Sequence, residues 1–191
     1  MTTTGAPTTR PLRADAQRNY DTIVRVASEA FAENGTQTSL DDIACRAGVG
    51  PGTLYRHFPT RDCLLAAALR DSLNELEDLS AELASADDAG AAFDRWLFQL
   101  ASHLRTYGGL PDSVAQALGD KGSALYTSCV PLRSMTGTLL ERAQQAGAVR
   151  ASASERDVFS LVASIAWAAD RRGDSDDDLK RLLGLVTSGL R

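Results

Sequence analysis

The stretch AGVGPGTLYRHFPTRDCL, residues 47–64, packs three glycines, two prolines and a Tyr-Arg-His triplet into 18 positions. So many glycines suit either a loop that cradles phosphate groups or a tight turn between two helices that contact DNA. A dinucleotide-binding loop needs the spacing GxGxxG directly after a strand, and a P-loop needs GK[ST]. Counted from Gly48, Thr53 stands where the last glycine of GxGxxG belongs, and GK[ST] is absent. The glycines therefore indicate a turn.

A short helix is predicted before this turn, over residues 39–47. Its apolar positions recur at the helical spacing i, i+3, i+4 and i+7: Leu40, Ile43, Ala44 and Ala47. The sequence TSLDD offers two overlapping N-caps, and both start the helix within a residue of each other. The two pairs are Thr38 with Asp41 and Ser39 with Asp42.

A second short helix is predicted after the turn. Gly48 can take the positive φ that a sharp corner needs, and Pro51 suits the first turn of a helix whose N-cap is Gly50. Pro59 ends that helix after about two turns. Residues 39–58 therefore have the pattern of a helix-turn-helix motif.

The second helix of such a motif presents side chains from its N-terminal end to the major groove of DNA. With Leu54 and Phe58 directed inward, four residues face outward: Gly52, Thr53, Tyr55 and Arg56. Arg56 can hold guanine through two hydrogen bonds, and Thr53 can bond a phosphate or touch a thymine methyl group. This helix is therefore the predicted DNA-reading element.

The stretch TSLDDIACRAGVGPGTLYRHFPTRDCLLAAAL resembles the DNA-binding region of the TetR/AcrR family of bacterial repressors, and the similarity covers residues 14–70. The C-terminal part resembles the SbtR-like subgroup. The resemblance implies phosphate contacts by Thr38, His57 and Arg61. With the groove-facing residues, the implied DNA-binding set is Thr38, Gly52, Thr53, Tyr55, Arg56, His57 and Arg61. The family's usual serine at the cap is Gly50 here, which removes one hydroxyl that can bond phosphate.

Helical periodicity continues along the chain, and strand-like alternation is absent from the pattern. We predict an all-α protein of about nine helices, with further spans at 14–34, 60–84, 89–106, 110–119, 123–146, 154–171 and 176–190. Residues 1–12, rich in Thr and Pro, are predicted to be disordered. We expect a DNA-binding domain over 1–60 and an effector and dimerisation domain over 61–191, joined by the helix at 60–84.

Composition is that of a soluble globular protein, with 43% hydrophobic and 24% charged residues among 191. Membrane-spanning apolar runs and the apolar core of a secretory signal are both missing, so we expect a cytoplasmic location. The net charge of −5 argues against a protein that coats nucleic acid nonspecifically. Residues 1–70 hold eight arginines against seven acidic residues, whereas residues 71–191 hold twelve basic against eighteen acidic residues.

The last two predicted helices indicate a homodimer. The helix at 154–171 is apolar on more than one side, and the helix at 176–190 adds a second leucine-rich stripe. A two-fold dimer would present its reading helices to two half-sites roughly 34–36 Å apart. We therefore expect dimerisation through helices 154–171 and 176–190 and a palindromic operator.

An effector pocket is expected among the helices of residues 89–135. Its candidate residues are apolar or aromatic, several with polar tips: Phe93, Trp96, Leu100, His103, Tyr107, Tyr126, Cys129 and Met135. Pro131 lies inside a predicted helix, where it removes one backbone hydrogen bond and can kink the helix. Each candidate read singly also fits an ordinary core position.

The sequence predicts a ligand-responsive transcriptional regulator, most simply a repressor that a small-molecule effector releases from its operator. GxSxG, HExxH and metal-spaced His/Cys sets are missing from the sequence, so we expect no enzyme activity, cofactor or metal. The alternative is a helical ligand-binding or interaction protein that no longer binds DNA. The two differ in salt dependence, since a DNA-binding dimer should lose log affinity with log salt at a slope of roughly −5 to −7.

Overall fold

The structure is a computed structural model that describes residues 9–117 and 119–190. These residues form ten α-helices joined by turns and contain no β-strand. In chain order the helices are α1 (Thr9–Asn34), α2 (Leu40–Arg46), α3 (Pro51–His57), α4 (Arg61–Ala68), α5 (Arg70–Leu83), α6 (Ala89–Leu104), α7 (Leu110–Ala117), α8 (Ala124–Gln145), α9 (Glu155–Arg172) and α10 (Asp176–Leu190). The all-α prediction is confirmed.

The predicted helix at 60–84 is two helices, which accounts for ten helices in the described chain where about nine were expected. Leu69 separates α4 from α5 with φ −87° and ψ −4°, and its apolar side chain is buried. The carbonyl of Ala68 accepts a hydrogen bond from the Tyr107 hydroxyl at 3.3 Å. The break was not predicted because the leucine periodicity continues through it.

The first helix starts earlier than predicted, at Thr9 rather than at residue 14. Residues 9–12, expected to be disordered, are thus helical, and residues 1–8 lie outside the described residues. Ile23, Ala27 and Phe31 of α1 are fully buried. They form the core of the N-terminal part together with apolar residues of α2 to α4.

Helix α6 lies at the centre of the C-terminal part and contacts α5, α7, α8, α9 and α10. Its residues Trp96, Leu97 and Leu100 are fully buried. The Trp96 indole Nε1 donates to the Thr136 hydroxyl of α8 at 3.0 Å, so its polar atom is satisfied inside the core. No described helix is both long and apolar enough to cross a membrane.

Candidate DNA-binding face and effector region

The turn between α2 and α3 has the geometry that its sequence predicts. The Ser39 hydroxyl accepts a hydrogen bond from the backbone N–H of Asp42 at 3.3 Å, which settles which of the two overlapping N-caps is used. Gly48 has φ 68°, and Gly50 caps α3 without a side-chain hydrogen bond. Leu54 is fully buried. The helix-turn-helix is therefore held by its own core contacts.

The outward face of α3 is open. The Tyr55 side chain is 45% exposed, and Arg56 is also exposed. A Cβ built on Gly52 would meet no atom within 4 Å, so another backbone can approach closely at that position. Arg56 Nη2 donates to the Thr53 hydroxyl at 2.9 Å, which brings two predicted DNA contacts together.

Thr38 and Arg61 are bound within the protein. Arg61 Nη1 donates to the carbonyls of Thr36 at 2.7 Å and Thr38 at 2.5 Å, and the Thr38 hydroxyl donates to the Gly35 carbonyl at 2.7 Å. Both side chains are half-buried. They hold the corner between α1 and α2, and their contact with phosphate stays a prediction.

His57 packs on α1 rather than standing free. Its ring makes an edge contact with the Tyr20 ring, with centroids 6.1 Å apart. The Tyr20 hydroxyl accepts from Arg70 Nη2 of α5 at 3.1 Å. The predicted phosphate contact of His57 therefore has a neighbouring cation, Arg70, that sequence reasoning did not include.

A close backbone contact joins the α1–α2 corner to the turn between α6 and α7. The N–H of Thr36 donates to the Gly108 carbonyl at 2.8 Å, and a Cβ on Gly35 would lie 2.6 Å from that same oxygen. Thr36 is fully buried, and its hydroxyl accepts from the Ser113 hydroxyl of α7 at 3.3 Å. The sequence signal for this contact is the pair of glycines in YGGLP, residues 107–111.

Tyr107 also takes part in the contact between the two parts of the chain. Its ring packs against Phe31 of α1 with centroids 5.7 Å apart, and its hydroxyl bonds the Ala68 carbonyl at the α4–α5 break. From the α6–α7 turn, the side chain therefore touches two helices of the N-terminal part, α1 and α4.

The predicted effector residues do not surround one cavity. Phe93, Trp96 and Leu100 are packed in the core with at most 1% exposure. Met135 is half-buried against that core. Tyr126 lies in a separate, open cleft beside α9. Pro131 is exposed on α8, which continues through it to Gln145.

His103 and Cys129 do meet at an internal cavity between α5, α6, α7 and α8. Its remaining lining is mostly apolar, and its volume of about 10 Å³ is enough for a single water molecule. Burial lowers the pKa of His103 to about 4, and its Nδ1 has no hydrogen-bond partner among the described atoms. Burial also raises the pKa of the Cys129 thiol to about 11. At neutral pH both groups are therefore uncharged.

An outer cleft between α5 and α6 reaches His103 from the solvent side. Its volume is about 370 Å³, and its lining includes Glu75, Gln99 and Ser102. The Ser102 hydroxyl is also buried without a described partner. His103 thus borders both the outer cleft and the small cavity.

Family models match both parts of the chain. The model described as bacterial regulatory proteins, tetR family, matches residues 23–68, and that of the C-terminal domain of SbtR-like transcriptional regulators matches residues 88–191. A helix-turn-helix transcriptional repressor of Mycobacterium tuberculosis strain H37Rv is 36% identical over 96 residues, 50% of this chain and 51% of that protein. The chain thus spans about half the length of the curated relatives it matches.

Solved structures agree over most of the chain. A TetR transcriptional regulator from Streptomyces coelicolor has 32% identity and a TM-score of 0.61, covering 90% of this chain and 98% of that one. FadR from Bacillus subtilis, solved in complex with stearoyl-CoA, has 20% identity and a TM-score of 0.63, covering 90% of this chain and 100% of its own, and resembles it in fold alone. The chain belongs to the TetR family of transcriptional regulators.

Proposed function

We propose that this protein binds a palindromic operator as a homodimer, acts as a repressor in the cytoplasm, and is released from DNA by a small-molecule effector. The observation that carries the proposal is the open face of α3, with Tyr55 and Arg56 exposed on a well-packed helix-turn-helix. Exposed aromatic and arginine side chains on a recognition helix suit the major groove. We keep the division into a DNA-binding domain, 1–60, and an effector domain, 61–191.

The apolar exposed residues of α9 and α10 support dimerisation. Leu161 of α9 is 42% exposed and Leu185 of α10 is 66% exposed. Leu182 and Val186 beside them are half-buried. We call this surface the α9–α10 face. A second copy of the same face would cover these side chains in a two-fold arrangement.

The cavity at His103 is the proposed effector site. Its leucine and valine lining favours a mostly apolar molecule, and the unpaired Nδ1 of His103 can form a hydrogen bond with one polar group of it. Because the cavity measures only about 10 Å³, binding requires α5 or α6 to move. FadR of Bacillus subtilis, a protein of the same fold, holds stearoyl-CoA.

Such a movement has a short route to the DNA-binding domain. Leu69 and Leu110 line the cavity. Leu69 follows Ala68, whose carbonyl accepts from Tyr107, and Leu110 comes two residues after Gly108, whose carbonyl accepts from Thr36. A ligand that favours a different arrangement of α5 and α7 would shift the spacing of the two α3 helices. Linkage then requires operator DNA to weaken effector binding by the same factor.

The experiment is fluorescence anisotropy of the DNA that flanks the protein's own gene, titrated with purified protein over a salt series. Tyr55→Ala should weaken binding by about tenfold or more, because an aromatic contact in the centre of the interface is lost. Tyr126→Ala removes a tyrosine outside the DNA-binding domain and should leave the affinity unchanged. Equal loss in both variants, or a flat salt dependence, favours the alternative of a helical ligand-binding protein that no longer binds DNA.

A further inference from the structure

The open cleft between α8 and α9 has an unusual lining. Three cationic side chains, two aromatic rings and one hydroxyl border about 490 Å³ of space: Lys121, Tyr126, Arg133, Arg156, Phe159 and Ser160. That volume lies within the range of small-molecule sites. Phe159 is 2% exposed and forms part of the floor.

The charge in this cleft is not neutralised within the described part of the chain. Arg133 pairs with Glu155 through two hydrogen bonds, of 2.8 and 3.2 Å. Lys121 and Arg156 form no ion pair with a described residue. Residues 71–191 carry twelve basic against eighteen acidic residues, so two unpaired cations in one cleft stand out from an acidic domain.

The cleft is a different surface from the α9–α10 face. Phe159 and Leu161 are two positions apart on α9, and successive helical residues turn by about 100°. The two side chains therefore leave the helix on nearly opposite sides, about 160° apart. A partner subunit packed on Leu161 and Leu185 would leave Phe159 and the cations around it on another side.

We propose that this cleft binds a small organic anion, a carboxylate or phosphate carried by a flat apolar body. Arg156 and Lys121 hold the anionic group, since a guanidinium and an ammonium both donate charge-assisted hydrogen bonds to such oxygens. The half-buried ring of Tyr126 contacts the apolar body above the buried Phe159. The site is separate from the cavity at His103 and does not share its lining.

Binding there would also reach the DNA-binding domain. Lys121 lies in the turn between α7 and α8, and Ser123 at the end of that turn donates from its hydroxyl to Asp62 of α4 at 2.5 Å. An anion that draws Lys121 toward Arg156 therefore acts on the contact between this turn and α4. This consequence, unlike the binding itself, rests on the proposed function.

Isothermal titration calorimetry on the whole chain, without DNA and at constant ionic strength, tests the binding. The probes are phenyl phosphate and benzoate, with benzyl alcohol as the neutral analogue and inorganic phosphate as the analogue without a ring. We expect saturable binding of at least one aromatic anion with a Kd below about 1 mM. The preferred probe identifies the anionic group, and benzyl alcohol should not bind.

The double variant Lys121→Ala, Arg156→Ala should weaken that binding by about tenfold or more, because charge-assisted hydrogen bonds are lost. Arg95→Ala removes an exposed arginine of α6, paired with Glu82, and should bind as wild type. Thermal unfolding of each variant checks that the fold is retained. No saturable binding by wild type, equal binding by benzyl alcohol, or unchanged binding by the double variant would overturn the proposal. Because DNA is absent, none of these outcomes depends on operator recognition.

Discussion

His103 is the buried titratable group whose environment departs most clearly from water. It is 8% exposed, and burial lowers its pKa to about 4 from an ordinary 6.5. Its Nδ1 has no described hydrogen-bond partner. The unfolded chain therefore takes up a proton at a higher pH than the folded chain does. Stability is unaffected above pH 6.5 and falls as the pH drops from 6.5 toward 4.

We expect His103→Gln to remove this loss. The free energy of unfolding of the variant, minus that of wild type, should be about 2–3 kcal/mol larger at about pH 4.5 than at about pH 7.5. Chemical denaturation at both pH values measures it, and the carboxyl groups common to both proteins cancel in the difference. A constant difference between the two proteins at both pH values would contradict the assignment.

At the scale of elements, the contact of the α1–α2 corner with the α6–α7 turn depends on glycine. Gly35 has φ 77°, and its missing Cβ leaves room for the Gly108 carbonyl. Gly48, in the turn of the helix-turn-helix, has a similar φ of 68° but nothing within 4 Å of an added Cβ. The two positions therefore share a left-handed backbone conformation and differ in crowding.

We expect Gly35→Ala to lower the free energy of unfolding by about 2–4 kcal/mol, and Gly48→Ala by about 1–2 kcal/mol. Both variants place an alanine in the left-handed region, which is unfavourable. Only Gly35→Ala must also displace the Gly108 carbonyl and the hydrogen bond that this carbonyl accepts from Thr36. Urea denaturation of the two variants side by side measures the difference. Equal losses would show that the corner has room to relax.

For the whole molecule, the α9–α10 face is the surface on which the proposed dimer depends. Leu161 and Leu185 are exposed on this face. Trp167 is also exposed, but residues of its own subunit hold its ring in place. The Trp167 Nε1 donates to Asp112 of α7 at 2.7 Å, and Arg171 lies 5.3 Å from the ring centroid. Exposure alone therefore does not mark an interface residue, and Leu185 is the sharper test.

We expect Leu185→Glu to weaken the dimer by about 100-fold or more, because the symmetric interface would bury the introduced carboxylate in both subunits. Sedimentation equilibrium measures the effect. Val130→Glu, on a 48% exposed residue of α8, is the matched control and should leave the dimer intact. We expect operator binding by Leu185→Glu to weaken together with its dimerisation. A dimer unchanged by Leu185→Glu would instead place the interface elsewhere.

The features that the sequence determined by itself are the local ones. The corner at Gly48, the cap at Gly50 and the stop at Pro59 follow from φ preferences and hydrogen bonding within a few residues. They hold in the structure because α2 and α3 are short and adjacent. The open face of α3 follows in the same way, since Leu54 and Phe58 set which side is buried.

The tertiary structure decided every feature that depends on residues far apart in the chain. The phosphate contact of Arg61 stays a prediction, and the structure adds two carbonyl partners that lie 25 and 23 residues away, which no local pattern encodes. Contacts between distant residues also decide that Phe93 and Trp96 pack in the core whereas His103 lines a cavity. Apolar periodicity states that a residue is buried, whereas the packing of other helices decides whether it meets protein atoms or empty space.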